Sequence, residues 1–248
     1  IVFSNEKNPF YNRVLLPEYV TAELNWDKLL KIKDEALAKL NITMKSGVSI
    51  DNVNTKENTI LDSQGVLHTF DSLILATGSR PFVPENAQLH LPGRFTIRKK
   101  EDADRLKNYL DNTNLAPEEQ HVVIVGGGLL GLELAAALKH KKVKITIIQR
   151  ASRLMERQLD RISSKLLAEE VQLRDIQIYF DNEVSTVFET DNSNEIEIAL
   201  KSGRIITANA IVYTIGTIPN IEIAKESGIS CGRGVKVNQY LQTSNPDI

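Results

Sequence analysis

Residues His121–Leu138 read HVVIVGGGLLGLELAAAL. Val122–Val125 is a short run of β-branched residues that stops at a glycine cluster, the pattern of a buried strand. Leu130, Leu134, Ala137 and Leu138 then recur at helical spacing. Between the two stand Gly126, Gly128 and Gly131, in the order G-x-G-x-x-G. Each glycine has its own physical task. The first allows a tight turn, the second lets the backbone approach a pyrophosphate, and the third lets the helix pack closely on its strand. A phosphate would sit on the helix N-terminus, where unpaired N–H groups, here those of Leu129 and Leu130, and the positive dipole end favour an anion. A glycine triplet alone is a weak signal. Here a strand precedes it, a helix follows, and Val143–Ile148 reads as a second strand. The stretch predicts a dinucleotide site; a βαβ crossover without a ligand is the competing reading.

Working outward, 248 residues allow one large domain or two modest ones. Hydrophobic content of 42% and charged content of 25% are ordinary for a globular chain. A net charge of -2 gives no pointer to nucleic acid. No apolar run approaches a membrane span and no signal peptide is visible, so no membrane partner and a cytoplasmic setting are expected. Cys231 is the only cysteine, which excludes an internal disulfide, a CxxC redox pair and a four-cysteine metal site within this chain. It reads as structural, with a reactive thiol as the minor alternative. His68, His90, His121 and His140 show no metal-ligand spacing, so no metal site is expected.

The chain also repeats itself. Ile1–Phe3 reads as an apolar strand, Asn8–Val20 as a loop with a short helix, and Ile42–Met44 as a short strand. Trp26, Leu29, Leu30, Ala36, Leu37 and Leu40 share one face of a helix predicted over Trp26–Leu40. ITMKSGVSIDNVNTKENTILDSQGVLHTFDSLILATG and IYFDNEVSTVFETDNSNEIEIALKSGRIITANAIVYTIG have the same layout. Each reads as a β-meander after a helix, followed by an apolar strand (Leu73–Ala76, Ala210–Ile215) that stops at glycine. The second copy follows the glycine turn, and the first has no such turn. The expectation is an α/β chain of two Rossmann-like three-layer domains, the first incomplete at its start. The boundaries are residues 1–98, 99–218, and a return segment, 219–248. Pro81–Gly93 crosses between them and Lys99–Leu110 is a polar helix.

Two tandem dinucleotide units, each with a meander and an ATG-like strand end, resemble the pyridine nucleotide–disulfide oxidoreductase superfamily along essentially the whole chain. That resemblance implies FAD in the first unit and NAD(P)H in the second. The lack of redox cysteines points away from the disulfide reductase branches, toward reductases of rubredoxin, ferredoxin and nitrite. NPFYNRVLL (Asn8–Leu16), GGGLLGLE (Gly126–Glu133), RLMERQLD (Arg153–Asp160) and RGVKVNQYLQTSNPDI (Arg233–Ile248) are similar to the flavoprotein part of assimilatory nitrite reductase large subunits. Rubredoxin and ferredoxin reductases often carry a lysine near the flavin where Glu18 falls here, a departure that favours nitrite reductase. The family's first glycine motif is expected before Ile1 and its second flavin motif after Ile248. The sirohaem and 4Fe–4S modules of a nitrite reductase would lie in the rest of a parent protein.

Residue roles follow. Gly126, Gly128 and Gly131 are expected to hold the coenzyme pyrophosphate. Gln149 ends the second strand, where NAD sites place an acid about 20 residues past the glycines to accept from the ribose. Glutamine keeps hydrogen-bonding capacity without the charge that repels a 2′-phosphate, and Arg150 or Arg153 could pair with that phosphate. NADPH acceptance is expected; solvated surface arginines are the alternative. Gly216 would line the nicotinamide side of the cleft. By resemblance, Glu133 lies near nicotinamide and flavin; from the residues alone it is a helix-start carboxylate favoured by the dipole. For FAD, the resemblance implies that Arg13 contacts the cofactor, that Ala76, Thr77, Gly78 and Arg80 form the ATGxRP segment, and that the Val48 backbone faces the adenine. Glu6 could accept from the adenosine ribose, or be a surface carboxylate. The implied mechanism is hydride transfer from nicotinamide C4 to flavin N5, then single-electron transfer to a metal centre in an electron-accepting module or protein. A rubredoxin or ferredoxin reductase is the alternative, and a nucleotide-binding fragment without flavin a third. Homodimer formation is left open.

Overall fold

The computed structural model describes every residue except Lys33 and Ser193, and not the side chains of Asp34 and Glu35. The chain forms two compact units. The first comprises Ile1–Tyr11, Leu30–Arg80 and Thr217–Ile248; the second comprises Asn12–Leu29 and Pro81–Gly216.

The second unit is built on a five-stranded parallel sheet in the order Ile176–Tyr179, Lys144–Ile148, His121–Val125, Ala210–Tyr213, Arg94–Thr96. His121–Val125 is central and wholly buried, which is why Val122–Val125 reads as a continuous apolar run rather than an alternating one. The connections between successive parallel strands are the helices Lys100–Asp111, Leu129–His140 and Arg161–Leu173. These strands step across the sheet in one direction, so crossovers of one hand carry all three helices to one face. An antiparallel meander, Val184–Glu189, Ile196–Leu200 and Ile205–Ala208, covers the other. Val187, Ile198 and Leu200 of the meander pack with Val123, Val125, Ile148 and Ile211 of the sheet. Each such aliphatic side chain stabilises by about 1.5–3 kcal/mol when buried. Three layers result, as the repeat predicts.

The first unit holds a two-stranded parallel pair, Val2–Ser4 with Met44–Ser46, and its own meander, Ile50–Asn54, Thr59–Asp62 and Leu67–Thr69. Its core joins Val53 and Ile60 to Ala224, Ile229 and Ile248. Both quoted layouts therefore fold as three-stranded meanders, and the architecture is two-domain, α/β and Rossmann-like.

Two expectations change. Trp26–Leu40 is not one helix but two, Trp26–Leu29 and Asp34–Lys39, with Lys33 outside the described residues. The backbone between them pairs elsewhere: Lys31 N–H donates to the Phe10 carbonyl at 2.8 Å, and Leu30 bridges Tyr11. Leu73–Ala76 is not a strand. Leu73 N–H donates to the Asp247 carbonyl, but no ladder runs through residues 74–76 among the described residues. Leu73 and Leu75 still pack on the core, while Ile74 is 88% exposed.

The second compact unit takes in Asn12–Leu29 and Pro81–Arg98. Leu16, Val20 and Leu29 are buried there. The Tyr19 hydroxyl donates to Asp104 Oδ1 at 2.6 Å, and Lys100 Nζ donates to Asp104 Oδ2 at 2.6 Å. The same ammonium lies 5.0 Å from the Trp26 ring centroid and 5.5 Å from that of Tyr19. This cation–π and hydrogen-bonded cluster fastens the segment to the helix Lys100–Asp111.

Candidate coenzyme site

The three glycines of the turn meet three different surroundings. Gly126 has φ +112°, and a Cβ there would lie 2.8 Å from the Thr214 carbonyl oxygen. A Cβ on Gly131 would lie 2.1 Å from the Gly126 carbonyl oxygen and 2.7 Å from Thr214 Oγ1. Only a residue without a side chain lets the helix start this close to the strand end. Around Gly128 a Cβ would meet nothing within 4 Å. That position is open to a close approach, as a pyrophosphate requires. Gly128 is also the N-cap of Leu129–His140, and no side chain caps that helix. The N–H groups of its first turn, including Leu129 and Leu130, have no partner within the helix. They stand at the C-terminal edge of the parallel sheet, the edge where open α/β folds take ligands. The fit to a dinucleotide phosphate is good.

Gln149 is buried, with both amide atoms engaged: Oε1 accepts from Gly127 N–H at 2.8 Å and Nε2 donates to the Arg153 carbonyl at 3.0 Å. Arg150 is exposed. Arg153 turns back, its Nη2 donating to the Glu156 carbonyl at 2.9 Å. Gly216 is exposed with φ +113°, and its carbonyl accepts from Phe82 N–H at 2.9 Å. Glu133 is half-buried in the first helical turns. Burial, and secondly the charge of Glu18, raise its pKa above the usual carboxylate value. Glu18 Oε2 is itself buried without a hydrogen-bond partner among the described residues. Arg13 Nη1 donates to the Arg98 carbonyl at 3.2 Å.

In the first unit the expected flavin residues form two groups. Glu6 and Val48 gather at the end of Val2–Ser4: Val48 N–H donates to the Ser4 carbonyl at 2.9 Å, and Glu6 N–H to Ser4 Oγ at 3.2 Å. The Glu6 carboxylate accepts from the Tyr11 hydroxyl at 2.7 Å. Thr77, Gly78 and Arg80 gather on Asn220. Thr77 Oγ1 donates to the Asn220 carbonyl at 2.5 Å, the Gly78 carbonyl accepts from Asn220 N–H at 3.0 Å, and Arg80 Nη1 donates to Asn220 Oδ1 at 3.0 Å. Arg80 also pairs with Glu222 at 2.8 Å. Ala76, Thr77 and Gly78 are exposed, and a Cβ on Gly78 would meet nothing within 4 Å. A cofactor could approach this backbone closely.

Several residues here escape sequence reasoning. Thr214 Oγ1 donates to the carbonyls of Val125 and Gly126, at 3.0 and 3.1 Å. Leu154 Cδ2 lies 2.4 Å from where a Gly127 Cβ would be. Asn220 organises the ATGxRP segment from 140 residues away or more. Only Gly127 leaves a trace in the sequence, as the middle of three consecutive glycines. Among the described residues, no group of three or more His, Cys, Asp or Glu could hold a metal ion, and no helix is long and apolar enough to cross a membrane.

The turn, the sheet and the meander define a dinucleotide-binding protein. Residues 1–248 match the pyridine nucleotide-disulphide oxidoreductase family, and the chain belongs to it. The family's general character is FAD- and NAD(P)H-dependent oxidoreduction and electron transfer, and fold and family together give the chain FAD- and NAD(P)H-binding capacity. It is 29% identical over 248 residues to the assimilatory nitrate reductase electron transfer subunit of Bacillus subtilis (strain 168), covering 100% of this chain and 31% of that protein. It is 30% identical over 249 residues to the NAD(P)H nitrite reductase of the same organism, covering 100% of this chain and 30% of that one. The chain thus spans about a third of the length of these curated relatives. A solved ferredoxin reductase from Rhodopseudomonas palustris superposes with a TM-score of 0.89 at 23% identity, over 99% of this chain and 59% of that one.

Proposed function

We propose that this chain is the coenzyme- and flavin-binding part of an NAD(P)H-dependent oxidoreductase that passes electrons to a separate one-electron carrier of the rubredoxin or ferredoxin kind. The observation that carries the reading is the uncapped start of the helix Leu129–His140 at Gly128, open to close approach at the C-terminal edge of a parallel sheet. There the N–H groups of Leu129 and Leu130 bind the coenzyme pyrophosphate, Gly126 and Gly131 set the turn, and Gly216 lines the nicotinamide side. Glu133 is assigned to the nicotinamide and flavin side; burial, and then the charge of Glu18, raise its pKa above the usual carboxylate value. FAD is assigned to Glu6, Val48, Ala76, Thr77, Gly78 and Arg80, where Gly78 leaves room for a cofactor against the main chain. Bound flavin supplies the conversion of a two-electron donor into single-electron steps. The side chains bind and orient; none need act as nucleophile.

A second reading is supported by the segments NPFYNRVLL and RLMERQLD and by the nitrate and nitrite reductase relatives: the same module feeding a nitrite-reducing centre. One experiment addresses both. The purified chain is titrated with NADPH and NADH by calorimetry, supplemented with FAD, reduced anaerobically by the coenzyme, and then mixed with oxidised ferredoxin or rubredoxin. Flavin bleaching by coenzyme and recolouring by the carrier is the expected result. Bleaching with no recolouring by either carrier favours the nitrite-reducing assignment. Coenzyme binding without flavin binding reduces the chain to a nucleotide-binding module. If neither coenzyme binds, the proposal fails.

A further inference from the structure

Gln149 stands where a ribose contact is expected, and its geometry gives it other work. It follows the strand Lys144–Ile148 and is 8% exposed. Its main chain is fixed on both sides: the N–H donates to the Tyr179 carbonyl at 2.9 Å, and the carbonyl accepts from Asn182 N–H at 3.2 Å. Its side chain spans from Gly127 N–H to the Arg153 carbonyl. The Gly127 carbonyl in turn accepts from Met155 N–H at 2.9 Å. Leu154, fully buried, packs under Gly127, and its carbonyl accepts from Ser164 Oγ at 2.6 Å. The loop 150–155 is thus tied to the glycine turn through a side-chain amide, a backbone bond and a packed leucine.

The amide chemistry is specific. One end must accept and the other must donate at the same time. A carboxylate only accepts. At this position it could take Gly127 N–H, but its second oxygen would face the Arg153 carbonyl, acceptor against acceptor. The loop therefore closes around a neutral side chain. Arg150, the next residue, is exposed. Its charge reaches Glu183, whose carboxyl is held low chiefly by Lys201, with Arg150 among the lesser causes.

The geometry points to Gln149 as a positioning residue that sets coenzyme specificity: it locks the loop to the glycine turn, fixes where Arg150 stands, and so selects a coenzyme bearing a 2′-phosphate without touching it. This rests on reading the turn as an NAD(P)H site.

The test is a double-mutant cycle read as the ratio of NADPH to NADH dissociation constants, measured by calorimetry on the wild-type chain, Q149M, R150A and the double variant. Methionine is close in size to glutamine and forms neither hydrogen bond. The wild-type chain is expected to prefer NADPH. Each single variant should shrink that preference by about tenfold, the worth of one charge-assisted contact, and the double variant should shrink it no further. Q149E should move the preference toward NADH. Hydrogen exchange without coenzyme should quicken together in residues 126–131 and 149–155 of Q149M and stay unchanged in R150A, a readout that does not depend on binding. Independent, additive effects on the ratio, or a Q149M ratio equal to wild type, would overturn the clamp while leaving the coenzyme site standing. A wild-type preference for NADH would also overturn it. If the wild-type chain binds neither coenzyme, the site reading and the clamp fall together.

Discussion

At Gly128, stability and binding should move in opposite directions. Its φ of -87° and ψ of -175° are extended backbone that any residue adopts, and a Cβ there meets nothing within 4 Å. Gly128→Asp therefore enters without strain. The new carboxylate can accept from the first-turn N–H groups, as a capping residue does, a gain of a few tenths of a kcal/mol over glycine. Its charge at the positive dipole end adds about 0.3–1 kcal/mol. Loss of glycine's freedom in the unfolded chain adds about 0.4–1 kcal/mol more. Together these raise stability by about 1–2 kcal/mol, or a melting midpoint some 2–8 °C higher for a chain of this size. The same carboxylate occupies the N–H groups a pyrophosphate needs and opposes its charge. Two like charges about 4 Å apart near a protein surface repel by about 4 kcal/mol. Halving that for side-chain rotation and salt still leaves roughly thirtyfold weaker binding. Thermal melting of the coenzyme-free chain and calorimetric titration of NADPH and NADH measure the two effects. Binding within about threefold of wild type would refute the assignment of this helix start as the phosphate site. A fall in both stability and binding would refute the claim that the position is unstrained.

Three further outcomes follow from the same geometry. Gly131→Ala places a methyl 2.1 Å from the Gly126 carbonyl oxygen; the helix start must shift, and urea denaturation should show a loss of at least about 2 kcal/mol, whereas a loss under about 0.5 kcal/mol would mean the helix is free to move. The Tyr213 hydroxyl is buried without a hydrogen-bond partner among the described residues, and burial pushes its pKa up to about 12. Tyr213→Phe should therefore leave stability unchanged or raise it by up to about 1 kcal/mol; a loss above about 1.5 kcal/mol would show that the hydroxyl is satisfied. His121 is held neutral, chiefly by burial, with Nδ1–H donating to the Thr207 carbonyl and Nε2 accepting from Thr146 Oγ1. Its lowered pKa means that the unfolded chain binds the extra proton more readily. Its share of stability is thus complete above about pH 6.5 and is lost as pH falls through the folded value. Melting curves of the wild-type chain and His121→Gln from about pH 7.5 to 5 should diverge, the wild type falling more steeply; parallel slopes would remove His121 as the cause.

Some of the fold was legible because burial writes itself into local pattern. Val122–Val125 sits between strands on both sides and layers on both faces, and apolar, β-branched residues suit such a place. Gly126 and Gly131 were legible because close approach admits no side chain. Leu73–Ala76 carries the same apolar pattern as Ala210–Tyr213, yet only the latter lies in a ladder, flanked by His121–Val125 and Arg94–Thr96. Pattern states that a segment prefers to be extended and buried; it does not supply the neighbouring strand. Trp26–Leu40 kept its helical spacing and still broke, because Leu30 and Lys31 spend their backbone groups on Tyr11 and Phe10.

For the candidate site the limit is the range over which polar partners are found. The Gly127 N–H that Gln149 receives lies 22 residues back, Asp104 holds Tyr19 across 85, and Asn220 reaches Thr77 across 143. Strand-end position alone made glutamine and glutamate near-equivalents at residue 149, differing only in charge toward a ribose or its phosphate. The fold separates them on other grounds. A donor stands on one side of residue 149 and an acceptor on the other, four residues apart from it in sequence on the acceptor side and twenty-two on the donor side. Only a group that both accepts and donates satisfies the two. The neutrality of residue 149 is then a consequence of how the loop closes, before any coenzyme arrives.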